Sequence, residues 1–164
     1  MRILGLDPGL EHTGFGVIEV VGNQYGFVAA GRITTQVSDP LAVRLVKIAD
    51  GIGEVLQTFR PHEAAVEEVF ININGKSSLK LGQARGIALM VPQQKGVPVH
   101  EYAARLVKKS LVGTGKAEKA QVAHMVKVLL PRAVAASADA FDALAVALTH
   151  AHHRGMAIKL SSIK

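Results

Sequence analysis

Ile3, Leu4 and Leu6 form a short apolar run, interrupted by Gly5 and ended by Asp7, before Pro8-Gly9 turns the chain. A strand apolar on both faces has to lie inside a sheet that is covered above and below. This segment therefore sets the architecture, because everything after it must supply neighbouring strands and two covering layers. A carboxylate at the tip of such a strand is costly to desolvate unless a cation or hydrogen-bond donors meet it. An aspartate that merely caps the Pro-Gly turn accounts for the same residues when they are taken alone. Three more carboxylates at comparable places further along favour a metal ligand at Asp7.

The rest of the chain reads as one unit of 164 residues with a loose tail at 156–164. At 49% apolar residues it can bury a sizeable core. No apolar run approaches the roughly 20 residues that cross a bilayer, and Met1-Arg2 leads straight into a strand rather than a leader. There is no cysteine, which excludes disulfides and cysteine zinc sites and fits a cytoplasmic location. Nineteen Lys and Arg against 13 Asp and Glu give a net charge of +6, which suits a polyanionic partner. A protein of that charge that holds divalent metal must gather its acids in one place.

Gly14 to Val21 alternates as a strand, Gly22-Asn23 is a hairpin turn, and Tyr25 to Thr35 forms a third strand. Gly14 and Gly16 do not have the dinucleotide-binding spacing and read as hairpin glycines. Ser38-Asp39-Pro40 opens a helix whose apolar face is Leu41, Leu45, Ile48, Ile52, Val55 and Leu56, and Arg60-Pro61 ends it. His62 to Phe70 is a fourth strand, followed by a loop over 72–75 and a helix over 76–94 that Pro92 bends or ends. Val97 to His100 is a fifth strand. Helices follow over 103–111, 117–130 and 137–153. Gly113-Thr114-Gly115-Lys116 lacks the hydroxyl residue that a phosphate loop needs after its lysine. Short turns between the first three strands make them antiparallel, and helical crossovers make the last two parallel to the first. The expected fold is thus α/β, a mixed five-stranded sheet flanked by helices.

Asp139 and Asp142 stand three residues apart in the last helix and so share a face. A first-turn acid is favoured by the helix dipole, which explains Asp139 better than Asp142, a turn deeper among alanines and leucines. At the end of the fourth strand, Glu67 and Glu68 point to opposite faces, so at most one of them looks toward Asp7. Periodicity leaves that choice open. Two helical aspartates, a strand glutamate and Asp7 would make an all-oxygen cluster suited to magnesium or manganese. Without a cation, four converging acids would repel and some would take up protons.

Several of these segments occur together in one known family. Asp7-Pro8-Gly9 with Thr13-Gly14, Val66-Glu67-Glu68-Val69-Phe70, Leu79 to Gly86, Glu101-Tyr102-Ala103-Ala104-Arg105 and Asp139 to Ala145 resemble the RuvC family of bacterial Holliday junction resolvases. The resemblance spans nearly the whole chain, in order and with matching spacing. It implies a ribonuclease-H-like fold and a homodimer that resolves four-way junction DNA by paired symmetric nicks, in recombination and repair. It implies Mg2+ or Mn2+ as the metal; two ions per site are expected from two-metal phosphodiester chemistry, and the RuvA-RuvB branch-migration complex is a candidate further partner. Matched residue by residue, the four catalytic, metal-binding acids fall on Asp7, Glu67, Asp139 and Asp142. Some relatives carry histidine where Asp139 stands, and aspartate here keeps the site all-oxygen.

The same resemblance places Lys108 and Lys119 near the scissile phosphate and Phe70 against an unpaired base. Lys76 and Lys80, along the helix over 76–94, are candidate DNA contacts, and Gly82 and Gly86 on that helix are the candidate dimer contact. His150, His152 and His153 read as a solvated helix end rather than a metal tract. Three other functions are compatible with part of this pattern: a related small resolvase, a nuclease of RNA-DNA hybrids, and a junction-binding protein without catalysis. An actin-like ATPase also opens on a strand-Asp-x-Gly turn, but this chain is too short for its second lobe.

Overall fold

The computed structural model of the chain describes residues 1–68, 75–133 and 137–161, with 75–77 and 157–161 described by backbone alone. Its strands are β1 (Arg2–Asp7), β2 (His12–Val21), β3 (Gln24–Thr34), β4 (Glu63–Glu68) and β5 (Val99–Ala103). Its helices are α1 (Leu41–Phe59), α2 (Gly75–Gln94), α3 (Ala104–Val112), α4 (Lys119–Leu129) and α5 (Ala138–Ser161). The sheet order is β3-β2-β1-β4-β5, with β1 in the centre. β1, β2 and β3 form an antiparallel meander, while β4 runs parallel to β1 and β5 parallel to β4, as expected. Gly22, at φ +59°, makes the turn between β2 and β3 in a left-handed conformation that glycine adopts freely.

β1 separates two cores. Leu4 and Leu6 pack with Val17, Ala64 and Val66 beneath Ile48, Ile52, Val55 and Leu56 of α1 and Ala84, Ala88 and Val91 of α2. Ile3 packs on the opposite face with Ile18 and Ala65, against α3, α4 and α5. Ile3, Leu4 and Leu6 are fully buried, and each such side chain contributes about 1.5–3 kcal/mol.

Glycine sets how closely α5 approaches the sheet. Gly5 is paired with Gly16, and Gly14 with Asp7. A Cβ on Gly5 would collide with the Ala143 carbonyl, one on Gly14 with the Asp139 carbonyl, and one on Gly16 would lie 2.7 Å from Leu144 Cδ2. Gly14 and Gly16 are therefore not hairpin glycines, as the sequence suggested. They form the flat bed on which α5 lies, and the small residues Ala140, Ala143 and Ala147 are the buried side of that helix.

Other boundaries shift for local reasons. α1 starts at Leu41 with Pro40 as its cap and no side-chain cap, because Asp39 turns instead to Lys47 (Oδ2 to Nζ, 2.6 Å). Arg60, at φ +48°, closes α1 with its N–H on the Leu56 carbonyl. β5 begins at Val99 and runs to Ala103, not over 97–100. Gly96 is left-handed, Val97 N–H is bound to the Pro92 carbonyl, and the ladder to β4 starts only when Ala64 N–H meets the Pro98 carbonyl. Pro92 lies in the last turn of α2. Residues 156–161, expected to begin a loose tail, continue α5 to Ser161.

Candidate active site

Alternation along the strands decides which acids meet. On β1, Ile3 and Gly5 face α5, so Asp7 does as well; on β4, Ala65 faces α5, so Glu67 does and Glu68 does not. Because β1 and β4 are parallel neighbours with Leu6 opposite Val66, Asp7 and Glu67 follow side by side and share a side-chain hydrogen bond. Burial, then the charges of Glu67 and Asp142, pushes Asp7 up to about 8 from 3.8. Glu67 is also raised, chiefly by burial and also by Asp142, against the opposing hydrogen bond to Asp7 and the charges of Lys119 and Lys108.

α5 brings the third acid. Ser137 accepts the Ala140 N–H at 3.3 Å and starts the helix, which its alanine face then sets down over Gly5 and Gly16. Asp142 thereby reaches a cleft of about 200 Å³ shared with Asp7, Glu67, Lys108 and Lys119 and floored by Val107, Val122 and Ala145. Lys119 opens α4, whose start is fastened by the Glu118 N–H on Gln121 Oε1 (2.8 Å). Its Nζ donates to Asp142 Oδ2 at 2.9 Å, and that bond, together with the charge of Asp142, raises the lysine's pKa. The side chain is otherwise 83% exposed.

Asp139 stands apart from these three. It does not line the cleft but sits at its rim, 4.0 Å from Arg32 Nη1. Arg32 is absent from the sequence-based set. Its signal lay in the hairpin register: Gly14 pairs with Asp7 on one side and Arg32 on the other, so all three occupy one row across the sheet. Thr13 steadies the Asp7 turn by donating its hydroxyl to the Gly9 carbonyl at 2.7 Å. Buried Arg44 donates Nε to Thr35 Oγ1, whose hydroxyl in turn bonds the Leu10 carbonyl (2.9 and 2.6 Å).

Of the other expected DNA contacts, Lys80 is exposed on α2, while Phe70 and the side chain of Lys76 lie outside the described residues. The histidines near the end of α5 are not a solvated helix end. His150 is only 3% exposed, His152 packs edge-on to Tyr25, and His153 lies against Tyr102. No described helix is long and apolar enough to cross a membrane.

Adjacent parallel strands ending in acids, crossed by a helix that carries a third, on a sheet ordered β3-β2-β1-β4-β5, are the ribonuclease-H-like architecture. The comparisons narrow this class. The model of the family described as "Crossover junction endodeoxyribonuclease RuvC" matches residues 3–150. The protein of that name from Paramagnetospirillum magneticum is 60% identical over 161 residues, covering 98% of this chain and 97% of its own. The one from Xanthobacter autotrophicus is 57% identical over 159 residues, covering 97% and 94%. Thermus thermophilus RuvC, solved in complex with a Holliday junction substrate, superposes with a TM-score of 0.89 at 36% identity over 96% of both chains. This chain belongs to the RuvC family of crossover junction endodeoxyribonucleases, hydrolytic nucleases that act on DNA.

Proposed function

We propose that the cleft between β1, β4 and α5 is where this resolvase hydrolyses a junction phosphodiester, making paired nicks in four-way DNA during recombination and repair in the cytoplasm. The observation that carries this reading is the Asp7–Glu67 pair. Two half-buried carboxyls stand side by side next to a third acid, and both are pushed above the usual carboxylate range, an arrangement that a divalent cation would relieve. The donor set is all oxygen, which fits Mg2+ or Mn2+. Asp7, Glu67 and Asp142 would hold two such ions, with Asp139 completing the set from the rim. Ions bound there supply an acidified water and offset charge on the attacking and departing oxygens.

The chain's own residues do the rest. Lys119, held by a single bond to Asp142 and otherwise in solvent, is free to exchange that carboxylate for a phosphate oxygen. Lys108 lines the same cleft and adds a second positive charge beside the substrate. Lys76 and Lys80 on α2 would follow the DNA backbone, and Phe70, just beyond β4, would stack on an unpaired base.

A four-way junction has near two-fold symmetry, so two cleavage sites related by a dyad match it. Leu79, Gly82, Gly86 and Met90 are exposed along one side of α2, and neither glycine has an atom of another element within 4 Å of where its Cβ would be. That strip is the proposed homodimer seam. The RuvA-RuvB complex is the proposed branch-migration partner, on the strength of family membership.

The test is an endonuclease assay on mobile and fixed four-way junctions and on an RNA-DNA hybrid duplex, with Mg2+, Mn2+, Ca2+ and chelator compared. Symmetric, Mg2+- or Mn2+-dependent nicks confined to junctions are expected. Preferential cleavage of the hybrid, or junction binding without nicking in any metal, would reject the proposal.

A further inference from the structure

A second group of ligand-type side chains lies on the same face of the sheet, at the opposite end of β4. Glu63 opens β4, His100 lies on β5 opposite Ala65, and His150 lies on α5. Glu63 and Glu67 are four residues apart on one strand, so this group is roughly 13 Å from the acidic cleft.

We propose that Glu63, His100 and His150 bind one divalent cation of the zinc class, at a site separate from the acidic cleft. One oxygen and two imidazole nitrogens from these residues already lie within 4.8 Å of one another. Ligands around a tetrahedral zinc, at bond lengths of about 2.0–2.2 Å, stand roughly 3.4 Å apart. Exposed His100 is free to move in by the ångström or so that closing the site requires, while the Glu63–His150 pair, now 2.6 Å apart, opens by roughly 0.8 Å to let the ion between them. The His100 and His150 rings stack with centroids 4.4 Å apart and planes at 28°, so their edges can address a common point.

The surroundings prepare His150 as a ligand. Its Nε2 meets Glu63 Oε2 at 2.6 Å, and its Nδ1 meets the Tyr102 hydroxyl at 2.8 Å. To take a metal, Nε2 must give up its hydrogen to solvent while Nδ1 carries one. The Tyr102 oxygen can accept as well as donate, so this tautomer costs only a rotation of the hydroxyl. Arg154 Nε binds the other Glu63 oxygen at 3.0 Å and leaves Oε2 for the cation. Two nitrogens and one oxygen select a borderline ion such as Zn2+ or Co2+ over Mg2+, the reverse of the preference at the all-oxygen cleft. Three protein ligands leave one position for water, and exposed His100 opens that position to solvent. The bound ion would tie together β4, β5 and α5, two of which carry Glu67 and Asp142.

Titration of the full-length protein with Co2+, in Mg2+ sufficient to saturate the cleft, tests this. One equivalent should bind with the visible absorption of a nitrogen-ligated, low-coordinate site, be displaced by Zn2+, and raise Tm by a few degrees. His100→Ala and Glu63→Gln should abolish both signals, whereas His153→Ala should leave them. Because His100 is exposed, its variant should fold and nick junctions in Mg2+ as the parent does. Co2+ uptake that survives His100→Ala, or is displaced by Mg2+ alone, would overturn the site.

Discussion

Gly5 and Gly16 face each other across β1 and β2, and a Cβ on either would be driven into α5. The proposed catalytic arrangement depends on this contact, because the helix resting there carries Asp142 down to Asp7 and Glu67. Gly16→Ala is expected to lift or tilt α5, since its Cβ would sit 2.8 Å from the Leu144 backbone nitrogen, which cannot rotate away. Overpacking of this kind costs about 1–3 kcal/mol. Urea denaturation should show a loss in that range, together with a fall in nicking larger than the unfolded fraction explains. An unchanged denaturation midpoint would mean that α5 does not need the glycine bed.

Glu67 and Glu68 are neighbours with opposite fates. Only Glu67 shares the α5 face with Asp7, so Glu67→Gln should reduce junction nicking by on the order of 10³-fold, about 4 kcal/mol of barrier. Glu68→Gln should remain within a few-fold of the parent. Single-turnover cleavage at saturating Mg2+ compares them, and the opposite ranking would show that the strand phase is wrong.

Asp7 also makes stability depend on pH. Its carboxyl ionises near 3.8 when unexposed to the fold and at about 8 inside it. Between those values the folded chain holds a proton that the unfolded chain has released, so raising pH favours unfolding. Without metal, stability should therefore fall from about pH 4 to about pH 8, with a slope of at most about 1.4 kcal/mol per unit. Saturating Mg2+ should flatten the slope, since binding requires the ionised carboxylate. At limiting Mg2+ the nicking rate should rise toward pH 8, and more Mg2+ should move that rise to lower pH. Thermal melts across this range in chelator and in Mg2+ test both statements.

Lys119 and Arg32 each pair with one helical aspartate, but at different places. Lys119 contacts Asp142 inside the cleft, and Arg32 contacts Asp139 at the rim. Lys119→Met should lower the cleavage rate by about 10- to 100-fold, equivalent to roughly 1.4–2.7 kcal/mol, with junction affinity nearly kept. Arg32→Ala should act less on the rate. Single-turnover rates alongside gel-shift affinities separate these effects, and equal rate losses for the two variants would count against the assignment.

Much of this was readable from residue order. The apolar run ending in Asp7 placed the central strand, short turns made the meander antiparallel, and the three-residue spacing put Asp139 and Asp142 on one face. What could not be read depended on neighbours in space. Ala64 and Ala65 are both apolar and fully buried, so periodicity could not say which faced α5, and only the family resemblance pointed to Glu67 rather than Glu68. β5 is an edge strand carrying His100 and Glu101, and its polarity drew the expected bounds back toward the more apolar Val97. The glycines of β2 have no partner in their own hairpin that explains them; the reason is a helix more than 120 residues later. His150 looked exposed within a polar run until β4 and β5 covered it with Glu63 and Tyr102.

The most direct test of the central claim is one preparation of Asp7→Asn, assayed for nicking of a labelled four-way junction and for binding to it. Loss of metal-dependent nicking with affinity close to the parent's is the expected result. Nicking near the parent rate, or loss of nicking and binding together in a folded protein, would contradict the assignment of Asp7 to the reacting centre.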